Sequence, residues 1–523
     1  MKAKTVKNAV EAHGWVGVIV SVVLFIVFWA GAVTLFYPEV TAWSNLPLRP
    51  TKTAETQAPP LKRIIEERIA AVDHDPTQSI FIRLPHEHSE FIELHIPRTG
   101  GAEHADFLVD PASGQTLAEG HPFELSSFLY ALHYNLKLPQ GSYIVGLVTL
   151  FFLVLLMTGV VIQLKHLITH FFLYRHDKGR QMRSHDLHTV VGVVTLPFTI
   201  MYSLTGLMFN LGILFYLPIM VLAYGGNQNA MFADAGFPQV EVEPAGVALE
   251  IPALEPLLER VEAEHNTEVA SLGLINPGDE NAVIRFNGGS GFDPPLNLYY
   301  EVKSDSFPAE FNPPGPNVFA STVRPMFVLH MGHFGGPGVR FIYFVLALGV
   351  CGMIIAGNVL WLIKREKKRE RYPRSWKVIQ GLTVGACAGV VVATSAAFLL
   401  ERVIPVDLEA RSTLVQGAFF VVLLGVSVVG FFPKSIRAFL SRCAFLCAGL
   451  LGTLVAADVV FWGSAIADAW RDGHQAVAGV TIGFGLCAIA FAWLGRAIAV
   501  AGSAHSTTKS TSAPQPALSG AEG

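Results

Sequence analysis

The sequence predicts a polytopic all-α membrane protein of about eight transmembrane helices, with two small α+β domains outside the bilayer. Three observations predict it. Charged residues are 15% of the 523 positions and apolar residues 51%, where a soluble domain carries about 25% charged residues. Eight apolar runs approach or exceed the ~20 residues a helix needs to cross a bilayer: about 14–37, 143–164, 189–222, 340–363, 378–400, 413–432, 443–466 and 476–500. Two long segments, about 38–140 and 223–338, instead alternate and turn like soluble chain.

The first run follows "MKAKTVK", which resembles a secretory signal, but Gly14–Tyr37 is longer than the ~7–15 apolar residues of one, so an uncleaved first helix is expected. The third run exceeds a span, and its end near Pro218 is expected to lie at the interface. Basic residues orient the chain. Lys2, Lys4 and Lys7, then Lys165, Arg175, Lys178, Arg180 and Arg183, then "KREKKRERYPRSWK", then Lys434, Arg437 and Arg442 all fall on one side of an eight-span chain. The expected location is the bacterial inner membrane, with both termini cytoplasmic. The expected divisions are a cytoplasmic N-terminus and first span (1–37), a first periplasmic domain (38–140) and spans two and three (141–222). A second periplasmic domain (223–338), span four with its basic loop (339–377), a four-helix membrane unit (378–502) and a disordered Ser/Thr/Ala/Pro-rich tail (503–523) complete them.

Each soluble segment predicts a helix on a small antiparallel sheet. "LKRIIEERIAAV" and "PALEPLLERVEAEH" have helical apolar spacing. "SIFIRLP", "EFIELHIP", "AVIRFNGG" and "LNLYYEVKSD" read as strands. "FLVDPASGQTL" reads as strand, turn, strand, with Asp110, Pro111 and Gly114 in the turn. The order of span, outer segment, span occurs twice, and local matches support a duplication. His13-Gly-Trp-Val-Gly17 matches His188-Thr-Val-Val-Gly192, and "ALHYNLKLPQGSYIVGL" matches "VLHMGHFGGPGVRFIYF".

The duplication places two histidines at each membrane face. His13 and His188 open spans one and three; His133 and His330 precede spans two and four. Neutral imidazole is a strong ligand for haem iron, and bundle cores are common cofactor sites. Two axial imidazoles from different helices would clamp a b-type haem, so a four-helix di-haem core is expected, with irons roughly 20 Å apart across the bilayer. Gly14, Gly17, Gly192, Gly206, Gly332, Gly335 and Gly336 are expected to admit the flat macrocycle. His185 competes with His188, and His333 with His330; His166 and His170 form a rival pair on the cytoplasmic side. His333, three residues from His330, is the candidate to donate a hydrogen bond to a propionate or the substrate.

At these residues the chain resembles the PepSY-associated transmembrane family, iron-regulated inner-membrane proteins that include ferric-siderophore reductases. The resemblance rests on "HGWVGV", "LHYNLKLPQG", "HDLHTVVGVVTLPFTIMYSLTG", "LHMGHFGGPG" and the PepSY-like "FLVDPASGQTL", over about residues 10–365. It implies two haem b, with His13, His133, His188 and His330 at the axial positions. It also implies electron delivery to a ferric siderophore or other Fe(III) chelate in the periplasm, and PepSY-like outer domains. "HGWVG" departs from the family's His-Arg-Trp, and the last four spans extend beyond its core.

The remaining features are weaker. Asp458, inside the seventh run, reads as shallow and hydrated, with a proton or quinol role as the alternative. His86, His88, His95, His104 and His121 read as solvated residues before they read as a metal site. Met326, Met331, Phe319, Phe327 and Phe334 are candidates for a chelate-docking floor. No Gly-x-Gly-x-x-Gly follows a predicted strand, and no soluble segment on the inner side suffices for a flavin domain, so a membrane quinol or a separate cytoplasmic reductase is the expected donor. All five cysteines lie in apolar runs, which leaves the soluble segments none for a disulfide framework. A net charge of −4 suggests no nucleic-acid partner. Two other classes compete with a redox enzyme: a membrane sensor that binds peptides or proteases, and a transporter. A transporter predicts broken helices or buried charge pairs.

Overall fold

The computed structural model describes residues 3–507 except 49–57, 86–88, 102–103, 121–123, 166–168, 170–172, 235–237, 239, 290, 293–295, 313–317 and 367–368. The chain forms two compact units: residues 1–357 with 465–477, and residues 358–464 with 478–523.

In the first unit, α1 (Ala3–Thr34) and α2 (Tyr37–Ser44) lead to α3 (Leu61–Ala70) and the strands β1 (Ile80–Arg83), β2 (Ile92–Ile96), β3 (Ala105–Val109) and β4 (Thr116–Glu119). The short α4 (Leu125–Asn135) precedes α5 (Gly141–Gln163). The second half begins with α6 (Arg180–Val194), α7 (Leu196–Leu211), α8 (Ile213–Tyr224) and α9 (Gln228–Asp234). It continues through α10 (Leu254–His265), β5 (Val269–Ile275), β6 (Val283–Gly288), β7 (Leu296–Glu301), α11 (Val318–Met331) and α12 (Gly336–Lys364).

The two soluble segments do not fold as two domains. Their strands make one antiparallel sheet, ordered β4-β3-β2-β1-β5-β6-β7. The joint is β1 against β5, with Ile80 opposite Leu274 and Ile82 opposite Leu272. An isolated half-sheet would end at β1 or β5 with a row of unpaired backbone groups, and pairing the halves removes both edges. Helices α3 and α10 share a single core on this sheet: Ile64, Ile65, Leu254 and Val261 pack with Ile82, Leu94, Leu272 and Phe286. The turn before β4 is built as its residues demand. Asp110 accepts from the Ala112 and Ser113 amides, and Gly114 takes φ 70°.

Among the described residues, seven helices or helix combinations are long and apolar enough to cross a membrane, and an eighth crossing follows if the bent pair α6–α7 counts as one. The chain is thus a multi-pass membrane protein. The third predicted run is broken: α6 and α7 meet at 67°. Pro197 has no amide to give Val193 O four residues earlier, and the Thr195 hydroxyl joins the Thr195 amide on Val191 O. The apolar α8, with Pro218 inside it, buries none of its residues, as an interfacial helix would.

The second unit contains α13 (Pro373–Gly381), which continues through a π-helical turn at Leu382–Ala386 into α14 (Cys387–Val403), and then α15 (Arg411–Phe431). It also holds most of α16 (Ile436–Arg471) and α17 (Gln475–Thr507). Asp458 is not hydrated, as the sequence suggests. It is fully buried, pairs with Arg402 Nε at 2.6 Å and accepts from the Thr481 hydroxyl at 2.7 Å. A second buried pair joins Arg411 to Glu401 at 3.3 Å, and the same guanidinium donates to Glu401 O at 2.7 Å. Arg402 lies on a different helix from Asp458, so spacing along one run could not reveal the pairing.

Candidate functional site

The helices of the first unit bring the four predicted histidines together in two pairs. The His13 ring on α1 lies 6.0 Å from the His188 ring on α6, centroid to centroid, with planes crossed at 84°. The His133 ring on α4 lies 6.1 Å from the His330 ring on α11, with planes at 53°.

Each ring is held through Nδ1 by a neighbouring helix. His13 Nδ1 is 3.1 Å from both Leu155 O and Thr158 Oγ1 on α5. His133 Nδ1 is 2.8 Å from Val27 O on α1. His188 Nδ1 is 2.9 Å from Met353 O on α12. His330 Nδ1 is 2.7 Å from Thr205 Oγ1 on α7. A carbonyl can only accept, so the first three contacts require the proton on Nδ1 and leave the lone pair on Nε2. Burial lowers the pKa of His133; burial and the adjacent His133 ring bring His330 down to about 3. Both rings are therefore neutral at physiological pH.

A local device recurs at three of the four rings. The accepting carbonyl has a glycine one helical turn later: Val27 with Gly31, Leu155 with Gly159, Met353 with Gly357. A Cβ on Gly31 would stand 2.8 Å from His133 Nδ1, and one on Gly357 would stand 3.0 Å from His188 Nδ1; at Gly159 the distance to His13 Cε1 is 3.4 Å. These glycines let an imidazole lie against the helix backbone. The sequence reading missed all three and chose others. Gly206 stands as far after His188 as Gly31 does after His13, yet with the bend at Thr195 between, it faces Thr149 and Thr205 meets His330.

The chain turns sharply after each second-pair ligand candidate. After His133, Leu136, Lys137 and Gln140 all take positive φ before α5; after His330, Gly332 does so at 70° before α12. A Cβ on Gly332 would also lie 2.9 Å from Tyr343. This turn separates His333 from α11, so the helical i,i+3 relation to His330 expected from the sequence does not hold. His333 nevertheless lines, with His133, His330, Tyr130 and Asn210, a cavity of about 710 Å³, within the size range of cofactor pockets. Tyr202 donates to His330 O at 2.9 Å and packs its ring 4.7 Å from the imidazole.

The competing residues separate from the pairs. His185 points to Asp186, 3.4 Å from its carboxylate. Asp186 is itself buried and receives Arg175 through its backbone amide, Nε and Nη2, which the sequence reading did not foresee. His166 and His170 lie outside the described residues, as do His86, His88 and His121. His95 bonds Asp106 at 2.7 Å and stacks on Phe81, and His104 is exposed. Among the described residues, no group of three or more His, Cys, Asp or Glu is placed to hold a metal ion. Of the proposed docking floor, Met331 and Phe327 line the cavity, and Phe334 packs on Phe292 and Tyr343. The side chain of Phe319 lies outside the described residues.

The pairs fit haem. A first-row metal–imidazole bond of about 2 Å, with about 1 Å from Nε2 to ring centre, puts two axial rings about 6 Å apart across one iron, as both pairs are. Two rings standing on one macrocycle plane can be crossed at any angle. The porphyrin supplies the four other ligands, so a site with only two protein donors suffices.

Fold and site define a multi-pass membrane protein whose first unit carries two imidazole pairs and one composite sheet. The family model for the PepSY-associated TM region matches residues 10–364, and the chain belongs to that family. It is also similar to an uncharacterised protein of Pseudomonas aeruginosa, 26% identical over 262 residues. That match covers 48% of this chain and 65% of the relative, so the chain spans just under two thirds of the relative's length.

Proposed function

We propose that the protein is a transmembrane b-type di-haem oxidoreductase of the bacterial inner membrane, which reduces a ferric siderophore or another Fe(III) chelate on the periplasmic side. His13 with His188 and His133 with His330 would hold the two haems. The observation that carries this reading is the pairing of four half-buried imidazoles at 6.0 and 6.1 Å, each tethered through Nδ1. Such tethers are the outer-shell contacts that orient metal-bound histidines. Bound there, haem b supplies reversible one-electron chemistry at low-spin iron.

The chain's own residues do the rest. The carbonyls of Leu155, Val27 and Met353 hold three rings in the ligating tautomer. Tyr202 pins the backbone of His330. His333, at the cavity wall, is placed to donate a hydrogen bond to a propionate or the incoming chelate. A membrane quinol or a separate cytoplasmic reductase supplies one electron for each Fe(III) converted to Fe(II). The side assignment rests on the basic loops, which place the sheet in the periplasm.

The test is the absorption spectrum and haem content of the purified full-length protein, followed by reoxidation of pre-reduced protein in vesicles of both orientations. Two haem b per chain with low-spin bands, reoxidised by a membrane-impermeant ferric chelate from the sheet side, are expected. A colourless protein overturns the reading; reoxidation from the opposite face alone overturns its direction. Gly31→Leu should lower the haem content to about one per chain, because its side chain invades the place of the His133 ring. Gly17→Ala, whose Cβ meets only Leu155 at 3.7 Å, should keep both.

A second reading, a transporter, draws on the buried Arg402–Asp458 and Arg411–Glu401 pairs. A colourless protein that moves a solute in vesicles would favour it.

A further inference from the structure

We infer that Thr205 is the positioning residue of the His133–His330 site and sets that site at the higher reduction potential of the two; this rests on the di-haem reading above. Three of the four rings meet a main-chain carbonyl beside a glycine. His13 also meets the Thr158 hydroxyl at 3.1 Å, beside its carbonyl at the same distance; at His330, among the described residues, a hydroxyl stands in place of the carbonyl. Thr205 Oγ1 lies 2.8 Å from Met201 O, to which it donates, and 3.5 Å from Tyr202 O. With its proton spent on Met201, the hydroxyl faces His330 Nδ1 as an acceptor at 2.7 Å. The hydroxyl is thus inserted between the imidazole and a helix carbonyl, whereas His133 and His188 meet a carbonyl directly and His13 meets one together with a hydroxyl.

Two consequences follow. The relay keeps the proton on Nδ1 and the lone pair on Nε2, which aims His330 at the metal. It also weakens the pull on that proton. A helix carbonyl carries the aligned peptide dipole, and donating to it makes an imidazole a more basic ligand that favours Fe(III). A hydroxyl is the weaker acceptor, even when polarised by its own donation. His13 and His188 both reach carbonyls; His133 does, and His330 does not. The electron-rich pair is therefore His13–His188. Iron held by that pair would favour Fe(III) more, which would make the His133–His330 site the electron acceptor of the two. The inference also assigns a task to the Thr-Gly step that ends "YSLTG": Thr205 serves His330, and Gly206 gives α5 room at Thr149.

The experiment is a redox titration of the full-length protein followed by absorbance, with low-temperature electron paramagnetic resonance of the oxidised form. Wild-type protein should show two midpoints, the higher being the one lost when His330 is replaced. Thr205→Val, which keeps the shape and removes the hydroxyl, should raise that midpoint further, change one low-spin signal and leave the other haem unaltered. Thr205→Ser should restore both. Loss of that haem alone in Thr205→Val, with retention in Thr205→Ser, supports the same positioning role. Unmoved midpoints in Thr205→Val, a downward shift, or a shift confined to the His13–His188 haem overturns the inference while leaving the di-haem reading intact. Protein purified without haem overturns both.

Discussion

Replacing His13 and His188 together by alanine is expected to halve the haem content, from two per chain to one, and to leave the spectrum of the remaining haem unchanged. The complementary double change, His133→Ala with His330→Ala, is expected to remove the other haem and abolish chelate reduction. The reason is geometric. Each pair draws its two rings from different halves of the duplication, and rings within a pair are 6.0 or 6.1 Å apart. Without both imidazoles the site loses the two donors assigned to its iron, while the other pair keeps its own tethers. If the first double variant retains two haems with unaltered spectra, the axial assignment is wrong.

Asp458→Ala is expected to destabilise the protein by about 3–5 kcal/mol, because it leaves the Arg402 guanidinium buried without its counter-ion. Asp458 has no exposure, and its partner's side chain is 2% exposed. A large drop in the midpoint of thermal or denaturant unfolding in detergent would register the effect. The double change Arg402→Met with Asp458→Leu should recover most of it, since apolar replacement of a buried ion pair is often neutral or stabilising. An Asp458→Ala protein that unfolds at the wild-type midpoint would show that water reaches Arg402.

Apolar periodicity and turn chemistry are local properties, so the strands of "SIFIRLP" and "EFIELHIP" and the helices α3 and α10 could be read directly from the chain. The strand β5 could not. "VASLGLI" is buried along most of its length, so it shows no clean two-residue alternation. It is also the strand that joins the two halves. Missing it meant expecting two small domains where the protein has one sheet. Asp458 was misjudged for a related reason: the cost of an intramembrane carboxylate depends on its partners, and Arg402 and Thr481 come from other helices.

The sequence by itself determined the membrane class and singled out the four histidines, because burial in lipid and repeated local motifs both leave marks on one chain. The pairing of His13 with His188 and of His133 with His330 also followed from the matched helices; only the tertiary structure decided that His185 belongs to Asp186 and that the two soluble segments share one sheet. It alone placed Gly31, Gly159 and Gly357 against three rings and Thr205 against the fourth. Those outcomes depend on how closely two backbones approach and on the 67° bend at Thr195. Such distances are set between helices remote in sequence, where the spacing of residues along the chain carries no information.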